Sequence, residues 1–243
     1  MTAARTTPPL ALWACLILIG AMLAHGPVAQ LADYHAFADQ RSWHGLAHAG
    51  DVLSNLAFAL AALYGAWRLH RSTLAGIDRI AATAFVTALA LTACGSTWYH
   101  LAPDDARLIW DRLPIALACA ALLAGAMRSR LALLLLGGGA VASVFWWQVT
   151  ADLRPYLLLQ AAPLILIPLL QWQHRAPAAQ RRAFGLAIVL YVLAKLCEVG
   201  DHALFATLGL VSGHTLKHLL AAVAAVVLVR AVTAGPGPAH GVS

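Results

Sequence analysis

The chain alternates between long apolar runs and short polar connections. A helix that crosses a bilayer needs about 20 mostly apolar residues, and we predict one such helix in each of eight runs: 10–31, 51–69, 80–101, 112–127, 131–149, 155–173, 183–200 and 212–233. Because the connections are short and no long-period repeat is visible, the pattern predicts an all-α, polytopic membrane helical bundle.

The two ends of the chain require separate predictions. Residues 1–32 are predicted to form an N-terminal transmembrane helix, residues 33–233 the main bundle, and residues 234–243 a disordered tail. Arg5, the apolar run after it and the small residues near Gly26 also fit a signal peptide. The weakly charged start and the poor cleavage site favour a retained helix, or signal anchor.

Composition supports lipid as the solvent of this chain. Only 11% of the 243 residues are charged and 61% are hydrophobic, whereas a soluble domain carries about 25% charged residues. The net charge of +6 comes from arginines scattered over short loops. They form no basic stripe, which excludes a nucleic-acid partner.

The distribution of arginine and lysine predicts the orientation, because cytoplasmic loops of membrane proteins are enriched in both. With the N-terminus inside, the outer side carries few arginines: Arg41, Arg107, Arg112 and Arg154. The inner side carries many: Arg5, Arg68, Arg71, Arg79, Arg128, Arg130, Arg175, Arg181, Arg182 and Arg230. Short loops and many Arg and Ala residues are typical of a bacterial inner-membrane protein.

Polar residues converge at the predicted outer ends of three runs. Ser96 and His100 end the third run, Asp111 begins the fourth, and His214 and His218 begin the eighth. Each pair separated by four residues lies on one helical face. Ionisable groups are costly in a bilayer, so this convergence at one depth indicates a functional site.

Three imidazoles from two helices are typical of a catalytic zinc site, which leaves its fourth position to water. We therefore predict His100, His214 and His218 as zinc ligands. Asp111 is predicted to take a proton from the water, and Ser96 to hydrogen-bond the substrate carbonyl. A single interfacial histidine is more often a solvated rim residue, so the prediction depends on all three meeting.

At these residues the sequence resembles the alkaline ceramidase family, which belongs to a broader group of seven-helix membrane hydrolases that includes the adiponectin receptors. The resemblance runs from about Asp33 to Val232 and is carried by these motifs: Ser96-x3-His100, Asp111, His214-x3-His218 and the Asp-Val-Leu-Ser-Asn string at Asp51. It implies a seven-helix hydrolase core, to which this chain adds one N-terminal helix. It also implies that the three histidines bind zinc and that Ser96 and Asp111 assist hydrolysis of the ceramide amide.

Eukaryotic members of that family share an acidic calcium site before their first helix. The corresponding stretch here, 33–51, keeps three aspartates but places His48 about where an acidic ligand is expected. The sequence therefore does not favour calcium. This histidine-rich stretch is either a polar loop at the membrane surface or a loop that covers the zinc site.

Further polar and aromatic residues surround the predicted site. Lys195 and Glu198, three apart, are predicted to pair, and Asp201 or His202 to hydrogen-bond a zinc-ligating ring. An aromatic belt at the membrane surface is predicted from Trp43, Trp98, Tyr99 and Trp110. A site at this depth predicts a lipid substrate, ceramide or another N-acyl lipid, since many bacteria make no sphingolipid.

Other functions remain open. The adiponectin receptors share the ligand pattern, so a receptor-like or sensor protein with a structural zinc is the main alternative. A haem held by two histidines is a third. A serine protease is disfavoured because Ser96 has no GxSxG context, and a transporter because the charges cluster at one face rather than at mid-membrane.

Overall fold

The computed structural model describes residues 9–234, and all its regular elements are helices. Arg5 and nearly all of the predicted tail, 234–243, lie outside the described residues. The helices are α1 (Pro9–His25), α2 (Ala49–Ser54), α3 (Leu56–His70), α4 (Gly76–Leu101), α5 (Asp105–Met127), α6 (Arg130–Thr150), α7 (Arg154–Gln173), α8 (Ala178–Val199), α9 (Asp201–Leu208) and α10 (Gly213–Val232).

Six helical segments are long and apolar enough to cross a membrane, with α2 and α3 counting as one. The pair α8 and α9 is bent by 80° and would be a seventh span if taken as one. The prediction of an all-α, multi-pass membrane protein is therefore confirmed at this level, although the count of eight spans is not.

The first predicted run is the clearest departure. Its helix ends at His25, where we predicted residue 31, and has 17 residues. At 1.5 Å per residue it is about 26 Å long, somewhat less than the roughly 30 Å of a bilayer core. Gly26 has a φ of 81°, a left-handed conformation that ends a helix at little cost.

Helix α5 begins earlier than predicted, at Asp105 rather than at residue 112. The side chain of Asp104 caps it by accepting a hydrogen bond from the backbone N–H of Arg107 at 2.7 Å. Charged residues in this first turn and a half hide the helix from a search for apolar runs. As a result Asp111 and Arg112 lie inside the helix, and both are buried.

Close packing of small side chains holds α3, α4 and α10 together. Alanines from all three helices lie in one buried cluster with Phe58, Phe85 and Val229. Between helices in lipid the hydrophobic effect gives little drive, so close approach through small residues carries the packing.

A connection, residues 26–48, crosses the end of the bundle at which α4 ends and α5 and α10 begin. We call this segment the end loop and this end the site end. The backbone of Val28 is fixed by Asp152 Oδ1, at 3.1 Å, and by the N–H of Leu153, at 2.8 Å. Farther along, Arg41 bonds Asp39 at 2.8 Å and the carbonyl of Leu210 at 2.7 Å. The end loop is therefore bonded to both sides of the bundle.

Candidate metal centre

The three predicted histidines meet at the site end. His100 lies in the last turn of α4, His214 in the first turn of α10, and His218 one turn later. All three are buried, and one ring nitrogen from each lies within 4.8 Å of the others. Their ring centroids are 4.7 to 5.0 Å apart. The predicted cluster is therefore present and could hold a metal ion.

The spacing of the ring nitrogens fits a small metal ion. The Nε2 atoms of His100 and His214 are 3.2 Å apart. Two nitrogen ligands at 2.0–2.1 Å from a tetrahedral zinc lie about 3.3 Å from each other. A third imidazole, that of His218, completes the ligand number of a catalytic zinc site.

Ser54 orients one of the rings, a role that we did not predict. Its hydroxyl donates to the carbonyl of Asp51 at 2.9 Å and lies 2.7 Å from Nδ1 of His218. A hydroxyl has one hydrogen, so Ser54 accepts from Nδ1–H of His218. This bond assigns the tautomer and leaves the Nε2 lone pair of His218 for a metal. The Asp-Val-Leu-Ser-Asn string was the signal for Ser54.

Helix α10 begins in close contact with the bend between α8 and α9. A Cβ at Gly213 would lie 2.1 Å from the carbonyl oxygen of Cys197, so only glycine fits there. Next to it, the backbone N–H of His214 donates to Asp201 Oδ1 at 2.8 Å. This crossing sets the position of the first ligand of α10.

The prediction that Asp201 or His202 bonds a ligating ring is wrong. Asp201 accepts from two backbone amides, those of His214 and Ala38. His202 Nε2 bonds the carbonyl oxygen of Ala36 at 2.9 Å. The 80° bend after α8 turns both residues toward the end loop, so they position backbone instead.

Ser96 and Asp111 are brought together by a close crossing of α4 and α5. A Cβ at Gly95 would lie 1.9 Å from the carbonyl oxygen of Trp110. Only glycine allows the two backbones to approach this closely. Their next residues, Ser96 and Asp111, lie against each other and are both buried.

A partly buried cluster of charges lies beside His214. The predicted pair is confirmed, since Lys195 Nζ is 2.6 Å from Glu198. Lys217 adds a second lysine at 2.6 Å from the same carboxylate, and its Nζ lies 3.4 Å from Nε2 of His214. Lys217 thus brings a positive charge next to His214.

The end loop covers the histidines, which confirms the second of the two predictions for this stretch. The ring centroid of Phe37 is 4.4 Å from that of His214 and 4.8 Å from that of His100. His35 fastens the loop through a 2.8 Å hydrogen bond to the hydroxyl of Tyr99. Tyr99 is buried, so its assignment to an aromatic belt is wrong, whereas Trp43, Trp98 and Trp110 are exposed.

Two of the three aspartates in the stretch 33–51, Asp39 and Asp51, have partners within the protein. The guanidinium of Arg41 lowers the pKa of Asp39 through their hydrogen bonds. Asp51 Oδ1 accepts from the hydroxyls of Ser212 and Thr215. The carboxylate of Asp39 is thus paired with an arginine. That calcium is not favoured here stays a prediction from the sequence.

A comparison of this chain with models of known protein families, with curated proteins and with solved structures found no match. The geometry and chemistry of the site itself therefore carry the functional proposal.

Proposed function

We propose that this chain is a zinc-dependent membrane amidohydrolase that cleaves the N-acyl amide of ceramide or of a related lipid. The observation that carries the proposal is the meeting of three buried imidazoles, on α4 and α10, with one ring nitrogen of each within 4.8 Å of the others. A buried serine–aspartate pair on α4 and α5 supports it, because hydrolysis needs both a proton acceptor and a donor to the carbonyl oxygen.

A zinc ion held by His100, His214 and His218 would supply a Lewis acid and lower the pKa of water from 15.7 to about 7. Asp111 accepts the proton of the attacking water. Ser96 donates a hydrogen bond to the carbonyl oxygen as negative charge develops there. Asp111 then gives its proton to the leaving nitrogen, so that a C–O bond replaces the C–N bond. The products are a fatty acid and an amine, a sphingoid base in the case of ceramide.

The position of the site fits a lipid substrate. The histidines and Asp111 lie at the ends of α4, α5 and α10, and the exposed Trp43, Trp98 and Trp110 lie near the same end of the bundle. Tryptophan concentrates at the membrane–water interface, which is also the depth of a lipid amide. As part of the proposal, this end faces the periplasm of a bacterial inner membrane, since most arginines lie at the other end.

The test compares Asp111→Asn with the wild type in purified form. We expect about one zinc per chain in both, and a fall in fatty-acid release from N-acyl lipids of roughly 10²- to 10⁴-fold in the variant. Asp78→Asn, which removes the salt bridge to Arg128 at the other end, is the matched control. Unchanged turnover in Asp111→Asn would remove the proposed base. A zinc-loaded wild type that releases no fatty acid from a panel of N-acyl lipids would end the enzymatic proposal.

The covering ring of Phe37 favours a second candidate, a receptor-like or sensor protein with a structural zinc. Structural zinc sites are closed, whereas catalytic sites keep one position for water. Cobalt substitution separates the two. A change in the visible spectrum on adding a hydroxamate indicates an open position and supports the hydrolase, and an unchanged spectrum supports the structural role.

A further inference from the structure

Arg112 is buried in an unusual environment next to Asp111. Its side chain enters a box of three aromatic rings, from the end loop, α6 and α7. The guanidinium carbon lies 3.9 Å from the ring centroid of Trp147, 5.0 Å from that of Tyr34 and 5.4 Å from that of Tyr156. Only 3% of the residue is exposed. We had placed Arg112 at the outer rim of the run 112–127, whereas the early start of α5 places it inside the helix.

Two nitrogens of this guanidinium lack partners. Nε and Nη1 of Arg112 are buried and make no hydrogen bond within the described part of the chain. Arginine keeps its charge in proteins, and the faces of aromatic rings compensate part of it. A ring face does not satisfy in-plane N–H donors, however, and unpaired buried donors of a charged group are strongly unfavourable. The arrangement therefore calls for an acceptor.

The other arginines of the site end show what is missing. Each has an aspartate two or three residues before it as partner, and these pairs are Asp39–Arg41, Asp104–Arg107 and Asp152–Arg154. Arg107 is the closest match, because it also stacks on an aromatic ring, that of Trp98 at 4.6 Å. Its Nη1 nevertheless donates to the carbonyl of Ala102 at 2.8 Å. Arg112 has the stacking without the acceptor.

We propose that Arg112 binds the anionic group, a carboxylate or a phosphate, of an amphiphile that enters the bundle. A guanidinium offers parallel N–H donors that match both groups. Resting here on the proposed function, the substrates are then N-acyl lipids that carry an anionic group rather than neutral ceramide.

Binding is tested without turnover, with simple amphiphiles that contain no amide. Dodecanoate, dodecyl phosphate and the neutral dodecanol are titrated into the purified full chain in a nonionic detergent. Binding is read from displacement of a fluorescent fatty acid. We expect the wild type to prefer at least one anion over dodecanol by about tenfold or more, the usual effect of a charged hydrogen bond. The stronger of the two anions identifies the carboxylate or the phosphate as the group bound.

Arg112→Gln should abolish this preference and leave dodecanol binding unchanged, and Arg112→Lys should keep part of it. Arg107→Gln, which removes a stacked arginine that has its own acceptors, should behave as wild type. An Arg112→Gln protein that still prefers the anion would overturn the proposal. If Arg112→Gln does not fold, the wild type alone tests the proposal. Equal affinity of the wild type for the anions and for dodecanol would overturn it.

A hydrolysis measurement separates this proposal from the proposed function. The wild type is given an N-acyl amino acid, which carries a carboxylate, and the matched neutral N-acylethanolamine. Faster release from the anionic substrate, lost in Arg112→Gln, supports the inference about substrate class, and equal release overturns it. If neither is cleaved while anion binding depends on Arg112, the anion site stands and the hydrolase proposal falls.

Discussion

The two ends of the bundle handle polar residues in different ways. At the end where α3 and α5 finish, charged side chains stay near the surface, as in the pair Asp78–Arg128, and the interior is built from alanine and aromatic residues. At the site end the interior itself holds histidine, aspartate and arginine. Buried ionisable groups are costly in a membrane protein. Their restriction to one end, in the described part of the chain, indicates that this end holds the functional site.

The strongest test of this contrast is the loss of one ligand. His218→Ala should lower the zinc content from about one per chain to far below one, because two imidazoles do not complete the site. His174→Ala, which removes an exposed histidine at the other end, should keep the full zinc content. Elemental analysis of both purified variants measures this. Full zinc in His218→Ala would remove that residue from the ligand set.

The orienting bond of Ser54 should matter less. Ser54→Ala leaves Nδ1–H of His218 without its acceptor, and loss of such outer partners typically lowers metal affinity about 10- to 100-fold. Competition with a chelator of known zinc affinity measures the change. The control is Ser72→Ala, whose hydroxyl bonds a helix carbonyl at the other end. Equal zinc affinity in Ser54→Ala and wild type would contradict the assigned tautomer.

The helix crossing at Gly95 should be sensitive to one methyl group. Gly95→Ala places a Cβ against the carbonyl of Trp110, and overpacking of this kind costs about 1–3 kcal/mol of the free energy of unfolding. It also separates Ser96 from Asp111, so turnover should fall while zinc stays bound. Gly137→Ala, where no atom lies within 4 Å of the added Cβ, should be neutral or stabilising. For both variants, thermal unfolding measures stability, zinc analysis measures metal content, and fatty-acid release measures turnover.

The smallest effect is expected from the end loop. Arg41→Gln removes the cation that ties Asp39 to the carbonyls of Gly209 and Leu210. Phe37 should then uncover the histidines more often, and a chelator should remove zinc a few times faster. Arg128→Gln at the other end should leave that rate unchanged. An unaltered rate in Arg41→Gln would show that this contact does not hold the loop closed.

The pKa of Asp39 fixes the pH dependence of this last effect. Because Arg41 lowers that pKa below the ordinary value of 3.8, the stabilisation is fully present above 3.8 and is lost only as pH falls through the lower, folded-state pKa. The difference between Arg41→Gln and wild type should therefore stay constant between about pH 5 and 8.

The confirmed predictions from the sequence rest on the periodic placement of apolar and polar residues. Apolar runs revealed the spanning segments, and the separation by four residues placed His214 and His218 on one face. The confirmed meeting with His100 required only that α4 ends, and α10 begins, at the same end of the bundle. These predictions depend on local geometry, which a helix fixes within one or two turns.

What could not be predicted depends on contacts between distant segments. Ser54 is 164 residues from His218, and no pattern connects them. Phe37 is an ordinary apolar residue in a polar stretch, and only the path of the end loop brings it over the histidines. Arg112 was expected only at the rim of a run, because apolar length as a criterion misses the charged first turns of α5.

The anchor at Val28 has a consequence for α1. The backbone of Val28 is bonded to Asp152 and Leu153 only three residues after that helix ends. A signal peptidase that cut beyond α1 would thus release the helix from a polypeptide whose new N-terminus is already fastened close to the cut. The histidine centre would therefore stay intact whether α1 is cleaved off or retained.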